Sequence, residues 1–225
     1  MIECRNLTFG YKKALFPPVS IEISKGKLIL LIGANGIGKS TFLKTLAGLM
    51  SPIGGSVFLA GKDIHGLGEK MRARELAFVH SRPEFVPPLT AHEVITLAQP
   101  SSDVSKSAEL GIQYHIEHLL HVPLDRMSDG ERQKVMLVRA ISQQTPVILM
   151  DEPTAFLDYP SKKAWWTELL LLVQDGKTIF MSTHDIPLVP LHHPLVEALC
   201  FHTSQGNIEH VKTVSSGELE VFFDK

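Results

Sequence analysis

Residues 33–41 read Gly33-Ala34-Asn35-Gly36-Ile37-Gly38-Lys39-Ser40-Thr41, a G-x-x-x-x-G-K-[ST] spacing that could hold phosphate. The glycines let backbone N–H groups converge on phosphate oxygens, and a helix opening behind them adds the positive end of its dipole. Lys39 would reach the β- and γ-phosphates of a nucleoside triphosphate, and Ser40 would ligate Mg²⁺. A glycine turn with a chance lysine is the alternative. It fits poorly with an apolar strand directly before the loop and a helical segment directly after it. A second chemical signal lies at residues 147–152, where Val147-Ile148-Leu149-Met150 runs into Asp151 and Glu152. A buried parallel strand delivers both carboxylates at its C-terminal edge, where ligands bind in open α/β sheets. Asp151 would hold Mg²⁺ through water, and Glu152 would orient or deprotonate an attacking water. Solvated acids at a strand end are common, but beside a phosphate loop the pair points to triphosphate hydrolysis.

Three further segments resemble one family. Met127-Ser128-Asp129-Gly130-Glu131-Arg132-Gln133 is similar to the signature of ATP-binding-cassette (ABC) ATPases, usually L-S-G-G-Q, and lies just upstream of the carboxylate strand as in that family. Asp151-Glu152-Pro153-Thr154-Ala155-Phe156-Leu157-Asp158 resembles the family's second Walker motif running into its D-loop, and Ser182-Thr183-His184-Asp185 resembles the switch-histidine segment. The resemblance covers essentially the whole chain. It implies an α/β P-loop NTPase fold with a mainly parallel sheet, an N-terminal antiparallel β part and an inserted small helical subdomain. Residues 1–225 would form a single ATP-binding domain, with the insertion at about residues 82–127. The implied cofactors are ATP and Mg²⁺. The implied partners are a second copy of the chain, integral membrane permease subunits and a substrate-binding protein. The implied location is cytoplasmic, on the inner face of the cell membrane.

The same resemblance assigns roles. Gly33, Asn35, Gly36, Gly38, Lys39, Ser40 and Thr41 would line the nucleotide, and Tyr11 would stack on adenine; a half-buried strand aromatic is the other reading of Tyr11. Two chains would sandwich two ATP molecules head to tail. Ser128 and Gly130 of one chain would meet the γ-phosphate held by the other, and Asp158 would cross the interface. Glu152 would act as the base, and His184 would hydrogen-bond the γ-phosphate.

The chain departs from the family pattern in three places. Asp129 stands where glycine is usual, Glu131 where glutamine is usual, and Ser81 where a glutamine normally touches Mg²⁺ and the membrane subunit. Asp129 is expected to point away from the phosphate. Ser81 is expected in the groove receiving a membrane subunit, with Arg82 and Glu84 nearby and its metal contact through water. The texture of residues 128–136 followed by Arg139-Ala140, together with Arg82-Pro83 and residues 89–94, resembles the subset serving iron-siderophore, haem and vitamin B12 importers. A non-transport ABC ATPase, such as a cofactor-assembly ATPase, is the rival reading. Long coiled-coil insertions and a second phosphate loop, which mark the repair and translation types, are absent from the sequence. A binding module without turnover is disfavoured by Glu152 and His184.

These residues need elements to position them. Val19, Ile21 and Ile23 alternate as in a strand, following a less regular strand pattern through Ile2, Leu7, Phe9 and Tyr11. Strands are expected at 27–32, 54–60, 76–80, 147–150 and 178–182, with a turn at 61–63. Helices are expected at 40–49, 91–98, 131–142 and 161–174, with a weaker pattern at 112–120. Strands alternating with helices imply a parallel α/β sheet. Of Trp165 and Trp166, one ring is expected in the core and the other on a helix face. His192, His193, His202 and His210 match no ligand spacing and are read as surface residues of the final strands.

Composition excludes other classes. A 225-residue chain with 44% hydrophobic and 20% charged residues can bury a core without disulfide or metal staples. A formal net charge of −2 disfavours a protein coating nucleic acid. Two cysteines, Cys4 and Cys200, make no disulfide framework. The longest apolar runs, 28–32 and 169–173, fall far short of the ~20 residues of a spanning helix. The first residues lack the apolar core of a signal peptide.

Overall fold

A computed structural model of the chain describes residues 1–81, 88–101, 104–202 and 206–212. Two sheets organise these residues. The first is antiparallel, in the order β2-β1-β4-β5, built from β1 (Ile2–Thr8), β2 (Val19–Ile23), β4 (Gly54–Leu59) and β5 (Lys62–Asp63). The second has six strands in the order β10-β9-β3-β8-β7-β6. It contains β3 (Leu28–Ile32), β6 (Leu76–Val79), β7 (Val147–Asp151), β8 (Thr178–Ser182), β9 (Val196–His202) and β10 (Asn207–Val211). Its ladders from β9 to β6 are parallel, and β10 closes the edge as an antiparallel hairpin with β9.

Every residue of β3, β7 and β8 is buried, because both faces of this sheet are covered. The two-residue period of a strand then sorts side chains between two cores. Leu28, Leu30 and Ile32 enter one core with the residues of the helices α3 (Ala91–Ala98), α5 (Asp129–Ser142) and α6 (Tyr159–Gln174). Ile29 and Leu31 enter the other with the antiparallel sheet and α1 (Lys39–Leu46). In that second core Phe9, Phe42, Phe201 and Phe16 close a ring of aromatic contacts with centroids 5.2–5.9 Å apart. Pairs of this kind add about 0.5–1.5 kcal/mol each beyond their buried area. The ring ties the loop after β1 to the helix after β3, the two segments that flank the phosphate loop.

Several expectations are corrected. Lys62 and Asp63 pair with Leu59 and Phe58 as a short strand rather than only turning. Helix α2 (Glu69–Glu75) has no buried residue and so no apolar period to announce it. The pattern placed at 112–120 is instead α4 (Val104–Gln113), followed by a 3₁₀ turn at Glu117–Leu119. Both Trp165 and Trp166 are buried, since Tyr114 stacks flat on Trp165 with centroids 5.4 Å apart. His192 and His193 lie in the turn before β9. His202 and His210 sit in the hairpin facing Glu209 and Glu197. Helix α5 starts two residues earlier than its apolar pattern because Ser128 caps it, and α6 does so because Asp158 caps it ahead of Pro160.

Candidate active site

The phosphate loop joins β3 to α1. Gly38 caps the helix with φ 116°, in the left-handed region, and supplies no side-chain acceptor, so the first-turn N–H groups are left for an outside oxygen. Asn35 and Gly36 form the exposed crest, while Gly33 and Thr41 are buried. Lys39 is only 6% exposed, and its Nζ donates to the carbonyls of Gly33 at 2.6 Å and Ala34 at 3.0 Å. Burial holds its pKa below the ordinary lysine value, although the charges of Glu152 and Asp151 oppose that shift. The ammonium is thus folded onto the loop it would leave for a phosphate.

The carboxylates arrive from the sheet. Asp151 ends β7, nearly fully buried, and its Oδ1 accepts from Ser40 Oγ at 2.9 Å and from Ser182 Oγ at 2.7 Å. Glu152 turns sharply at φ 46°, and its N–H donates to Ser182 Oγ at 2.9 Å. That turn swings Glu152 Oε1 to 3.2 Å from His184 Nε2. Lys39, Ser40, Asp151, Glu152 and His184 therefore meet at the C-terminal edge of the parallel strands, as expected for an open α/β sheet. A hydroxyl and a carboxylate sharing one point are hard oxygen donors suited to Mg²⁺.

The signature segment is built differently. Ser128 and Glu131 form a reciprocal capping box, with Glu131 Oε2 accepting from Ser128 N at 2.9 Å and Oγ at 2.6 Å, while Ser128 Oγ accepts from Glu131 N at 3.3 Å. The hydrogen bonds from Ser128 hold the Glu131 carboxyl below its usual pKa. Glu131 thus serves the helix start. A Cβ on Gly130 would come within 2.8 Å of the Phe156 carbonyl oxygen, so only glycine fits there without displacing residues 155–157. Among the described residues, the side-chain hydrogen bonds of Ser128 run to Glu131 and those of Asp158 to Ser161, not to the phosphate loop. Both side chains lie exposed, available to a second molecule.

Asp129 pairs with Arg132 at 3.2 Å on its own helix, with its side chain 44% exposed. Replacing Asp129 with glycine is therefore expected to change steady-state ATPase activity by less than about tenfold, or ~1.4 kcal/mol. A larger rise would show that the carboxylate repels nucleotide.

Tyr11 lies in the bend after β1, outside any strand and 75% exposed, which removes the half-buried reading. Leu15, from the same loop, packs against Gly38, where an added Cβ would come within 2.7 Å of Leu15 Cδ1, so this loop adjoins the phosphate loop. Ser81 is half-buried two residues past β6, at the same sheet edge as Asp151. Arg82 and Glu84 fall outside the described residues. Motif matching missed the roles of Ser182 and of the Asp185 network. Asp185 accepts from Thr154 Oγ1 and Lys162 Nζ, each at 2.7 Å, tying the switch segment to the start of α6. The Ser-x-x-Glu spacing could have disclosed the capping box.

A family model described as ABC transporter matches residues 16–155. The chain is 36% identical over 203 residues to the achromobactin transport ATP-binding protein CbrD of Dickeya dadantii, across 83% of this chain and 74% of that protein. It is 34% identical to the iron(3+)-hydroxamate import ATP-binding protein FhuC of Bacillus subtilis, across 82% and 72% of the two chains. It is also 32% identical to the lipoprotein-releasing system ATP-binding protein LolD of Pseudomonas syringae pv. tomato, across 84% and 90%. The dimeric structure of the bacterial ABC transporter cassette MJ0796 resembles it with a TM-score of 0.79 at 25% identity, across 89% of this chain and 94% of that one.

Proposed function

The chain is an ATP-hydrolysing member of the ABC transporter family, and from that premise we propose that it powers import of an iron-chelate, haem or cobalamin-type compound. The observation that carries the hydrolytic part is the meeting of Lys39, Ser40, Asp151, Glu152 and His184 at one sheet edge. The relatives named for achromobactin transport and iron(3+)-hydroxamate import support the cargo class. The lipoprotein-releasing relative favours a second reading, an ATPase driving release of a lipid-modified cargo.

In this reading Lys39 leaves the carbonyls of Gly33 and Ala34 and binds the β- and γ-phosphates. Main-chain N–H groups of residues 34–38, of which that of Ile37 now donates to the Ala34 carbonyl at 3.4 Å, cradle the same oxygens. Tyr11 covers the adenine. Ser40, Asp151 and Ser81 would hold Mg²⁺, which would supply positive charge against the triphosphate. Glu152 accepts a proton from water in line with the γ-phosphate, and His184 fixes that phosphate. Two chains face each other, with Ser128 and Gly130 of one at the ATP of the other and Asp158 at the interface. Residues 82–127 form the helical subdomain within the 1–225 domain, and Ser81 stands beside the groove for a permease subunit. Among the described residues no helix is long and apolar enough to cross a membrane, so the permease would hold the ATPase on the inner membrane face. A substrate-binding protein would deliver cargo from the other side.

Affinity purification of the chain from native membranes tests this. The expected result is co-purification of a polytopic permease that also captures a substrate-binding protein for a metal chelate. A permease engaging lipoproteins would establish the second reading, and recovery of soluble partners alone would overturn both.

A further inference from the structure

Ser182 ends β8 as a hydroxyl behind the apolar run Ile179-Phe180-Met181, and it is fully buried. Strand register sets it directly beside Asp151 of β7. Its Oγ donates to Asp151 Oδ1 at 2.7 Å and accepts from the Glu152 N–H at 2.9 Å. One oxygen thus touches the side chain of the first acid and the main chain of the second. We propose that Ser182 is a positioning residue for ATP hydrolysis, holding the Asp151 carboxylate and setting the turn that aims Glu152. This inference rests on the hydrolytic reading above and deepens it.

The geometry explains why a hydroxyl is needed at that point. An aspartate carboxylate on a strand end rotates about two side-chain bonds, and packing against apolar neighbours does not fix its oxygens. Ser40 Oγ also donates to Oδ1, at 2.9 Å, but in the reading above Ser40 would be drawn to phosphate and cation once nucleotide binds. The Ser182 bond is then the one that persists through that exchange. Glu152 adopts φ 46°, an uncommon conformation for a residue with a Cβ. Its N–H also reaches the Ser182 carbonyl, but at a longer 3.2 Å. Without the hydroxyl, the Glu152 N–H keeps only that longer contact, and the turn that brings Glu152 Oε1 to His184 rests on it and on the Ala155 N–H to Glu152 carbonyl bond at 3.2 Å. Misplacement of a reacting group by about 1 Å costs on the order of 10²-fold in rate.

Threonine and valine have the same shape and differ in the hydroxyl, so the full chain carrying Ser182→Thr or Ser182→Val isolates the interaction. Three measurements apply: turnover at saturating Mg-ATP, Mn²⁺ binding followed by electron paramagnetic resonance with a non-hydrolysable ATP analogue, and ATP affinity in EDTA. We expect Ser182→Val to turn over at least about tenfold more slowly than Ser182→Thr and to bind Mn²⁺ at least about threefold more weakly. Affinity for metal-free ATP should be equal in the two. Equal turnover and equal Mn²⁺ binding in the two folded variants overturn the proposal, whether both match wild type or both are impaired. If the larger side chains prevent folding, Ser182→Ala decides. The same losses relative to wild type uphold the role, and wild-type values overturn it. Glu152→Gln in the same assay separates the two levels. An inactive Glu152→Gln chain with equal threonine and valine variants overturns only the role of Ser182. A wild-type chain that turns over no ATP overturns the hydrolytic reading with it.

Discussion

Replacing Glu152 with glutamine lowers ATP turnover by roughly 10²- to 10⁴-fold, the usual worth of a positioned base. Glutamine keeps the size of the side chain and its hydrogen bonding to His184, 3.2 Å away, but loses basicity and one negative charge. The turn at Glu152 is set by its main chain and Ser182, so the substitution leaves the site's geometry in place. Binding does not weaken, because removing a negative charge beside a polyphosphate favours the bound state. In the proposed pairing, where each chain needs the other's Ser128, ATP then persists between the two chains and the variant accumulates as an ATP-dependent dimer. Light scattering with and without Mg-ATP reads the association while a phosphate-release assay reads turnover. A monomer under both conditions, with turnover near wild type, removes both the base assignment and the paired arrangement.

Replacing Lys39 with alanine has the opposite signature, loss of tight binding. The loop offers phosphate one side-chain cation, now bonded to the carbonyls of Gly33 and Ala34. Two charge-assisted hydrogen bonds to phosphate oxygens contribute about 1.5–3 kcal/mol each, so affinity falls by about 10²-fold or more. Calorimetric titration with ATP measures the effect, and thermal unfolding of the same sample checks that the two carbonyls, deprived of their donor, have not loosened the loop. Wild-type affinity in a folded Lys39→Ala chain contradicts the placement of the phosphates.

The parallel sheet was legible because β3, β7 and β8 are short apolar runs bounded by turns or acids, and burial on both faces demands that composition. Helix α2 was illegible because it buries nothing, and β5 because two residues hold no period. Trp165 and Trp166 misled because neighbours on a helix point about 100° apart. Both are nevertheless buried, since α6 is covered on two sides, Trp165 by Tyr114. In the site, the loop, the acids and His184 are adjacent in sequence or fixed by motif order, so their chemistry could be read directly. The part played by Ser182 depends on the register between strands 31 positions apart, which no local pattern encodes. Glu131 departs from the glutamine usual at that position of the signature. Its spacing from Ser128 also spells a capping box, and that local hydrogen-bond chemistry is what the carboxylate does.

The tight approach of Gly130 to the Phe156 carbonyl has a consequence for cooperativity. Residues 155–157 are themselves cinched by turns, with Ala155 N–H bonded to Glu152 O at 3.2 Å and Leu157 N–H to Thr154 O at 3.1 Å. In the proposed pair of chains, Gly130 at the partner's ATP would be in contact with a main chain anchored at its own Glu152. Occupancy of one site would then be felt at the other, and by linkage the effect on ATP affinity would be equal in both directions. In such a pair the two sites would bind ATP as one coupled thermodynamic unit.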